Sequence, residues 1–136
     1  MWEHRDVRVL ITGGGGFIGS NLASALLTRK HQVRVIDDFS TGFPENIDGL
    51  DVELVKGSIL DHDTLAGAAR GVDSIVHLAA RGSVPRSVAD PLRTHDVNVN
   101  GTLSVLEVAR ESGTHVVFSS SSSVYGSVAD LPRTES

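Results

Sequence analysis

Short apolar runs alternate with longer stretches of helical periodicity along this chain. Val7 to Ile11, interrupted by Arg8, predicts a first strand. Four glycines follow it, and then a helical pattern from Phe17 to Arg29. Val33 to Ile36 predicts a second strand ended by Asp37-Asp38, and Val52 to Val55 a third. Asp61 to Arg70 reads as a helix with Asp61 as its N-cap. Ser74 to Leu78 predicts a fourth strand. Pro91 to Glu111 reads as one long helix, with Leu92, Val99, Leu103, Leu106 and Val108 as its apolar side and Gly113 as its stop. Val116 to Ser119 predicts a fifth strand, whereas Gly42-Phe43-Pro44 and residues 126–136 read as loops.

Strands that alternate with helices predict an α/β fold of the Rossmann type: a doubly wound parallel sheet with right-handed crossovers and the strand order 3-2-1-4-5. The 136 residues fit one domain. Forty per cent are apolar, which is enough for a core and excludes a disordered chain. Only six are aromatic (four Phe, one Trp, one Tyr), so the core is Val, Leu, Ile and Ala, as a sheet covered on both faces requires. A net charge of −5 would repel a phosphodiester backbone, so nucleic acid is not an expected partner. The chain has no cysteine, which excludes disulfides, thiolate metal sites and thiol nucleophiles. No metal is expected. Neither a secretory h-region nor a bilayer-length apolar run is present, so no membrane partner is expected and the cytoplasm is the expected location.

Candidate chemistry begins at Thr12-Gly13-Gly14-Gly15-Gly16-Phe17-Ile18-Gly19, between the first strand and the first helix. Gly13, Gly16 and Gly19 have GxxGxxG spacing, a variant of the dinucleotide fingerprint. Gly13 would let the chain turn off the strand, Gly16 would let a pyrophosphate approach the backbone, and Gly19 would let the helix lie close on the sheet. The helix N-terminus offers free N–H groups and a partial positive charge to the phosphates. A glycine cluster is also compatible with a merely flexible turn, but its place between strand and helix favours nucleotide binding. Asp37, ending the second strand, would accept hydrogen bonds from the adenosine ribose hydroxyls and repel a 2′-phosphate. No Arg or Lys occurs in Asp38-Phe39-Ser40-Thr41-Gly42, so NAD is favoured over NADP. The serine run Ser119 to Ser123 lies at the C-terminal end of the fifth strand, on the edge where open α/β sheets bind ligands. Its hydroxyls could bond a substrate oxygen, although composition alone favours a polar, low-complexity turn.

Five segments carry a resemblance. Thr12 to Gly19 resembles the TGxxGFIG signature of the extended short-chain dehydrogenase/reductases, and Asp37 to Gly42 is similar to the adenosine-ribose loop of their nucleotide-sugar epimerases. His77-Leu78-Ala79-Ala80 resembles their HxAA segment, Asn98-Val99-Asn100-Gly101-Thr102 their NVxGT helix motif, and Ser119 to Gly126 their SSSxxVYG segment. Gly82 to Ser87 further resembles a sugar-contacting loop of UDP-glucose and UDP-N-acetylglucosamine 4-epimerases.

The resemblance implies NAD as cofactor, a UDP-sugar as substrate, and hydride transfer at sugar C4 through a 4-keto intermediate. A dehydratase or reductase of the same family, or a non-catalytic NAD-binding module, is the alternative. It implies Ser121 as catalytic serine; Gly13, Gly16, Phe17, Ile18 and Gly19 at the pyrophosphate; and Asp37, Asp38, Ser40, Thr41 and Gly42 around the ribose. Ile59 would flank the adenine; Leu78, Ala79, Ala80 and Asn98 would lie along the cofactor; Ser83 and Ser123 would meet the sugar. His77 reads as a packed strand-end residue. Ser58 departs from the family pattern, where an Asp usually bonds the adenine amino group; a serine accepts such a bond with less charge. The family's general base is the Tyr of a YxxxK motif, after the serine strand. Tyr125 is the only tyrosine, and no lysine lies four places on. The resemblance therefore implies an N-terminal part of an epimerase, ending before the sixth strand and inactive by itself, with a homodimer expected for the full-length protein.

Overall fold

The computed structural model describes residues 6–126 and 132. Five strands form one parallel sheet: β1 (Arg8–Thr12), β2 (Gln32–Asp37), β3 (Glu53–Lys56), β4 (Ser74–His77) and β5 (His115–Phe118). Their order is β3-β2-β1-β4-β5, the arrangement expected from the alternation of elements. Helices α1 (Phe17–Thr28), α2 (His62–Ala69), α3 (Val84–Ala89), α4 (Pro91–His95) and α5 (Gly101–Ser112) fill the connections. Short 3₁₀ turns occur at Pro44–Asn46 and Ser122–Tyr125. The loop expected over 126–136 falls, apart from Gly126 and Pro132, outside the described residues. No described helix is long and apolar enough to cross a membrane.

The two-residue period of the strands divides the core between the two faces of the sheet. Val9, Ile11, Val33 and Val35 point to one side with Ala23 of α1. Leu10, Ile36 and Ile75 point to the other, against Leu65, Ala68 and Ala69 of α2 and Val105, Val108 and Ala109 of α5. Asp61 caps α2 by accepting from the Thr64 amide at 3.1 Å, and these amide bonds hold its carboxyl below the usual range. Gly113 ends α5 in the left-handed region, φ 68°. Arg34 is the exception among the inward residues of β2. Its Nη1 donates to the carbonyls of Ala68 at 2.6 Å and Arg70 at 2.9 Å, at the C-terminus of α2. Its Nη2 pairs with Glu53 at 2.8 Å.

The helix expected over Pro91–Glu111 runs without a gap but is not uniform. A π-helical turn, Asp96–Asn100, separates α4 from α5, and the sequence pattern also left out α3. The expected apolar side needs correction. Leu92, Val99, Leu103 and Leu106 are exposed, and only Val108 of that set is buried. The buried seam is Gly101, Val105, Val108 and Ala109, spaced i, i+4, i+7, i+8. Leu103 and Leu106 lie within α5 itself, so their exposure follows from which face of α5 meets its neighbours: Val105, Val108 and Ala109 pack with Leu65 and Ala68 of α2 and Ile75 of β4.

Candidate functional site

A cleft opens at the C-terminal ends of the parallel strands. Its walls are Gly13 and Gly16 from the glycine turn, Asp37, Asp38, Ser40, Thr41 and Gly42 after β2, and Gly57, Ser58 and Ile59 after β3. Leu78, Ala79 and Ala80 after β4, with Ile36 and Val97, complete it. Ile36, Gly57 and Val97 were not among the sequence candidates; nothing in their local pattern distinguishes them from packing residues.

The glycine turn is tightly packed except on one side. Gly13 has φ +74°, and a Cβ there would come within 2.7 Å of the Ala79 amide nitrogen. A Cβ on Gly19 would lie 2.4 Å from the Gly13 carbonyl oxygen and 2.7 Å from Gly14 Cα. Gly19 therefore lets α1 close on its own turn rather than on the sheet. At Gly16 the backbone is extended (φ −78°, ψ 170°), and a Cβ would meet only the Gly13 carbonyl oxygen, at 3.3 Å. Gly16 is also the N-cap of α1, with no side-chain cap and no acidic residue in the first turn. The leading N–H groups of α1, including those of Phe17 and Ile18, have no intrahelical acceptor. The side chains of Phe17 and Ile18 are exposed and form no part of the cleft wall.

Asp37 is buried and oriented. One carboxylate oxygen accepts from the Gly15 amide at 2.8 Å and the other from the Phe39 amide at 2.7 Å. Each oxygen keeps acceptor capacity for a second donor. The following loop is strapped over the turn: Phe43 N–H and Asn46 Nδ2 both donate to the Gly15 carbonyl, at 3.0 and 2.8 Å. Ser58 accepts from the Leu60 amide at 3.2 Å. Ile59 seats against Gly101, where any Cβ would lie 2.5 Å from Ile59 Cδ1.

Asn98 is not a wall residue. Its side-chain carbonyl accepts from the Arg81 amide at 2.7 Å and its Nδ2 donates to the Arg81 carbonyl at 3.2 Å, so it clamps the segment that leaves the wall. Ser83 has φ 117° and caps α3 by accepting from the Arg86 amide at 3.4 Å. Ser121 accepts from the Ser123 amide and donates to the Ser123 hydroxyl, both at 3.2 Å. None of these serines lines the cleft. A second cavity adjoins the first beside the loop after β2, sharing Asp38, Ser40, Thr41 and Ser58. Arg81, Arg86 and Arg93 line it, positions too far along the chain from Asp37 to be associated with it by sequence. Arg81 is engaged with Asp90 at 2.9 Å, which holds the Asp90 carboxyl below its usual range.

The model of the NAD dependent epimerase/dehydratase family matches residues 9–136. The chain belongs to that family. A Neisseria meningitidis UDP-glucose 4-epimerase is 37% identical over 94% of the chain and 40% of its own length. A Xenopus tropicalis UDP-glucuronic acid decarboxylase 1 is 36% identical over 94% of the chain and 30% of its own length. Among solved structures, Thermus thermophilus UDP-glucose 4-epimerase in complex with NAD superposes with TM-score 0.86 at 38% identity, covering 94% of this chain and 42% of that one. Methanobrevibacter ruminantium UDP-N-acetylglucosamine 4-epimerase gives TM-score 0.87 at 38% identity, over 97% and 43%. The chain thus spans well under half the length of these relatives.

The residues present fit the dinucleotide that the family name carries. The Gly16 side of the turn is a cradle that a side chain would fill, the α1 N-terminus is free of acidic competition, and Asp37 stands oriented at the end of β2.

Proposed function

We propose that this chain binds NAD and forms the cofactor-binding part of a nucleotide-sugar 4-epimerase. One observation carries the reading: an uncapped helix N-terminus, an oriented buried carboxylate and the Leu78–Ala80 wall converge on one cleft. The α1 N–H groups would hold the pyrophosphate, with Gly16 leaving room for it. Asp37 would take the adenosine ribose, with Asp38, Ser40, Thr41 and Gly42 around it; Ser58 and Ile59 would flank the adenine. Leu78, Ala79 and Ala80 would lie along the cofactor, excluding water from that side. When bound, NAD supplies a reversible hydride acceptor. Ser121 would donate a hydrogen bond to a sugar oxygen, and Ser83 and Ser123 would contact the sugar.

A second reading, a non-catalytic NAD-binding module, is favoured by a specific observation. The Ser121 hydroxyl donates to Ser123 Oγ and lines no wall of the cleft. Homodimerisation belongs to the proposal too, with the exposed Val88, Leu92, Val99, Leu103 and Leu106 as the apolar surface a second copy would cover. Calorimetric titration with NAD, NADP and UDP-glucose tests the binding claim; absence of NAD binding by folded protein would overturn it. Interconversion of UDP-glucose and UDP-galactose by a longer protein containing this chain separates the epimerase from the module.

A further inference from the structure

We propose that His77, fixed as the neutral Nε2–H tautomer, is a positioning residue that braces the 78–81 wall of the cleft between two threonine hydroxyls. The assignment follows from counting protons at each end of the ring. On one side, Thr12 Oγ1 accepts from the Ala79 amide at 3.1 Å and from the Leu78 amide at 3.2 Å, an N–H that the Thr12 carbonyl shares at 3.2 Å. That leaves its single hydroxyl proton for His77 Nδ1, 2.7 Å away, so Nδ1 is an acceptor and carries no proton. On the other side, Thr102 Oγ1 donates to the Asn98 carbonyl at 2.8 Å. Its proton is thereby used, and it must accept from His77 Nε2 at 3.0 Å, so Nε2 carries the proton. Two independent ends give the same tautomer.

The relay joins three distant segments. Thr12 is the fully buried last residue of β1, Thr102 lies on α5, and His77 itself is buried at the end of β4. Asn98, at the far end of the relay, clamps both the N–H and the carbonyl of Arg81. The segment from Leu78 to Arg81 is therefore suspended between Thr12 and Asn98, and His77 links the two anchors. The ring's partners from β1, α5 and β5 are Thr12, Thr102 and the Phe118 ring, with centroids 5.8 Å apart; none is charged. Burial pushes the His77 pKa down, in keeping with a ring held neutral. A proton on Nδ1 would face an oxygen already accepting two amides, breaking the bond that sets the wall.

The consequence for cofactor binding rests on the NAD reading above; the tautomer and the order of the wall do not. In histidine-labelled protein, nitrogen-detected correlation spectroscopy without ligand reads the tautomer, with His77 assigned by its loss in His77→Gln. The expected result is Nε2–H with an unprotonated Nδ1; an Nδ1–H tautomer or an imidazolium near neutral pH overturns the proposal. Thr102→Val removes the acceptor of Nε2–H outside the cleft, whereas Thr102→Ser keeps it. Amide exchange at Leu78, Ala79 and Arg81 should quicken about fivefold or more in the valine variant and return to the wild-type rate in the serine variant. Unchanged exchange in a folded Thr102→Val protein, or no rescue by serine, overturns the bracing role. NAD affinity should fall about five- to tenfold in the valine variant alone. If wild-type protein binds no NAD, the cofactor reading fails while the spectra and exchange rates still decide the relay.

Discussion

Replacing Gly16 by valine should separate ligand binding from folding. Its backbone lies in the extended region open to branched residues, so the substitution adds no positive-φ strain. Within the protein the new Cβ meets one backbone carbonyl oxygen at 3.3 Å, a tight contact that the turn must relieve by a small shift. The remaining cost is that of a poor N-cap residue in place of glycine, about 1 kcal/mol. On the ligand side, the isopropyl group fills the cradle and bars a pyrophosphate from the α1 N–H groups. Two such charge-assisted bonds lost, at about 1.5–3 kcal/mol each, weaken NAD by about 10²–10⁴-fold. Gly19→Ala is the contrast: its Cβ would lie 2.4 Å from one backbone atom and 2.7 Å from another, neither of which can swing away. That variant should lose several kcal/mol of stability, about 3 or more. Urea unfolding followed by circular dichroism reads stability, and calorimetry reads NAD affinity. A folded Gly16→Val protein with wild-type affinity would place the phosphates elsewhere, and a Gly19→Ala protein as stable as wild type would refute the packing account.

Asp37→Asn keeps an acceptor for the Phe39 amide but removes the charge; it should weaken NAD and narrow its advantage over NADP, each by about tenfold. Equal affinity of wild-type protein for the two nucleotides would sink that assignment. Arg34→Met should cost about 2–4 kcal/mol in chemical denaturation, because the bonds to the Ala68 and Arg70 carbonyls vanish; the Glu53 pair contributes little, since that carboxylate is 62% exposed. A loss below about 1 kcal/mol would show that water takes over those carbonyls. The lowered His77 pKa makes the folded state bind fewer protons than the unfolded one. Stability fully present above the ordinary value of 6.5 is therefore lost as pH falls through the folded pKa. The fall should be shallower in His77→Gln, and identical slopes would argue against a neutral His77. Ser121→Ala should leave NAD affinity unchanged, because Ser121 lines no wall of the cleft, while lowering turnover in a longer, active protein; weakened NAD binding would contradict the placement.

Much of this molecule is written in short-range pattern. Apolar runs of four or five residues separated by helical periodicity were enough for all five strands and their order, because a parallel sheet with right-handed crossovers leaves few topologies. The Asp61 cap and the Gly113 stop are equally local, since each depends on backbone conformation or on a bond spanning a few residues, whereas Asp37 is held both locally by the Phe39 amide and by Gly15, 22 positions earlier. Other features were decided only by packing. The buried stripe of α5, which is Gly101, Val105, Val108 and Ala109 rather than Leu103 and Leu106, was set by where α2 and β4 pack against it. Asn98 reads as a cofactor residue in its motif, yet it holds the backbone of Arg81, 17 positions earlier. Arg34 reads as a polar interruption of β2 until α2 places two carbonyl oxygens over it. His77 reads as a packed strand end; its tautomer depends on Thr12 and Thr102, 65 and 25 positions away. Periodicity and turn chemistry record what a residue does with its near neighbours, whereas a donor-to-acceptor chain across three elements exists only after the sheet has brought them together.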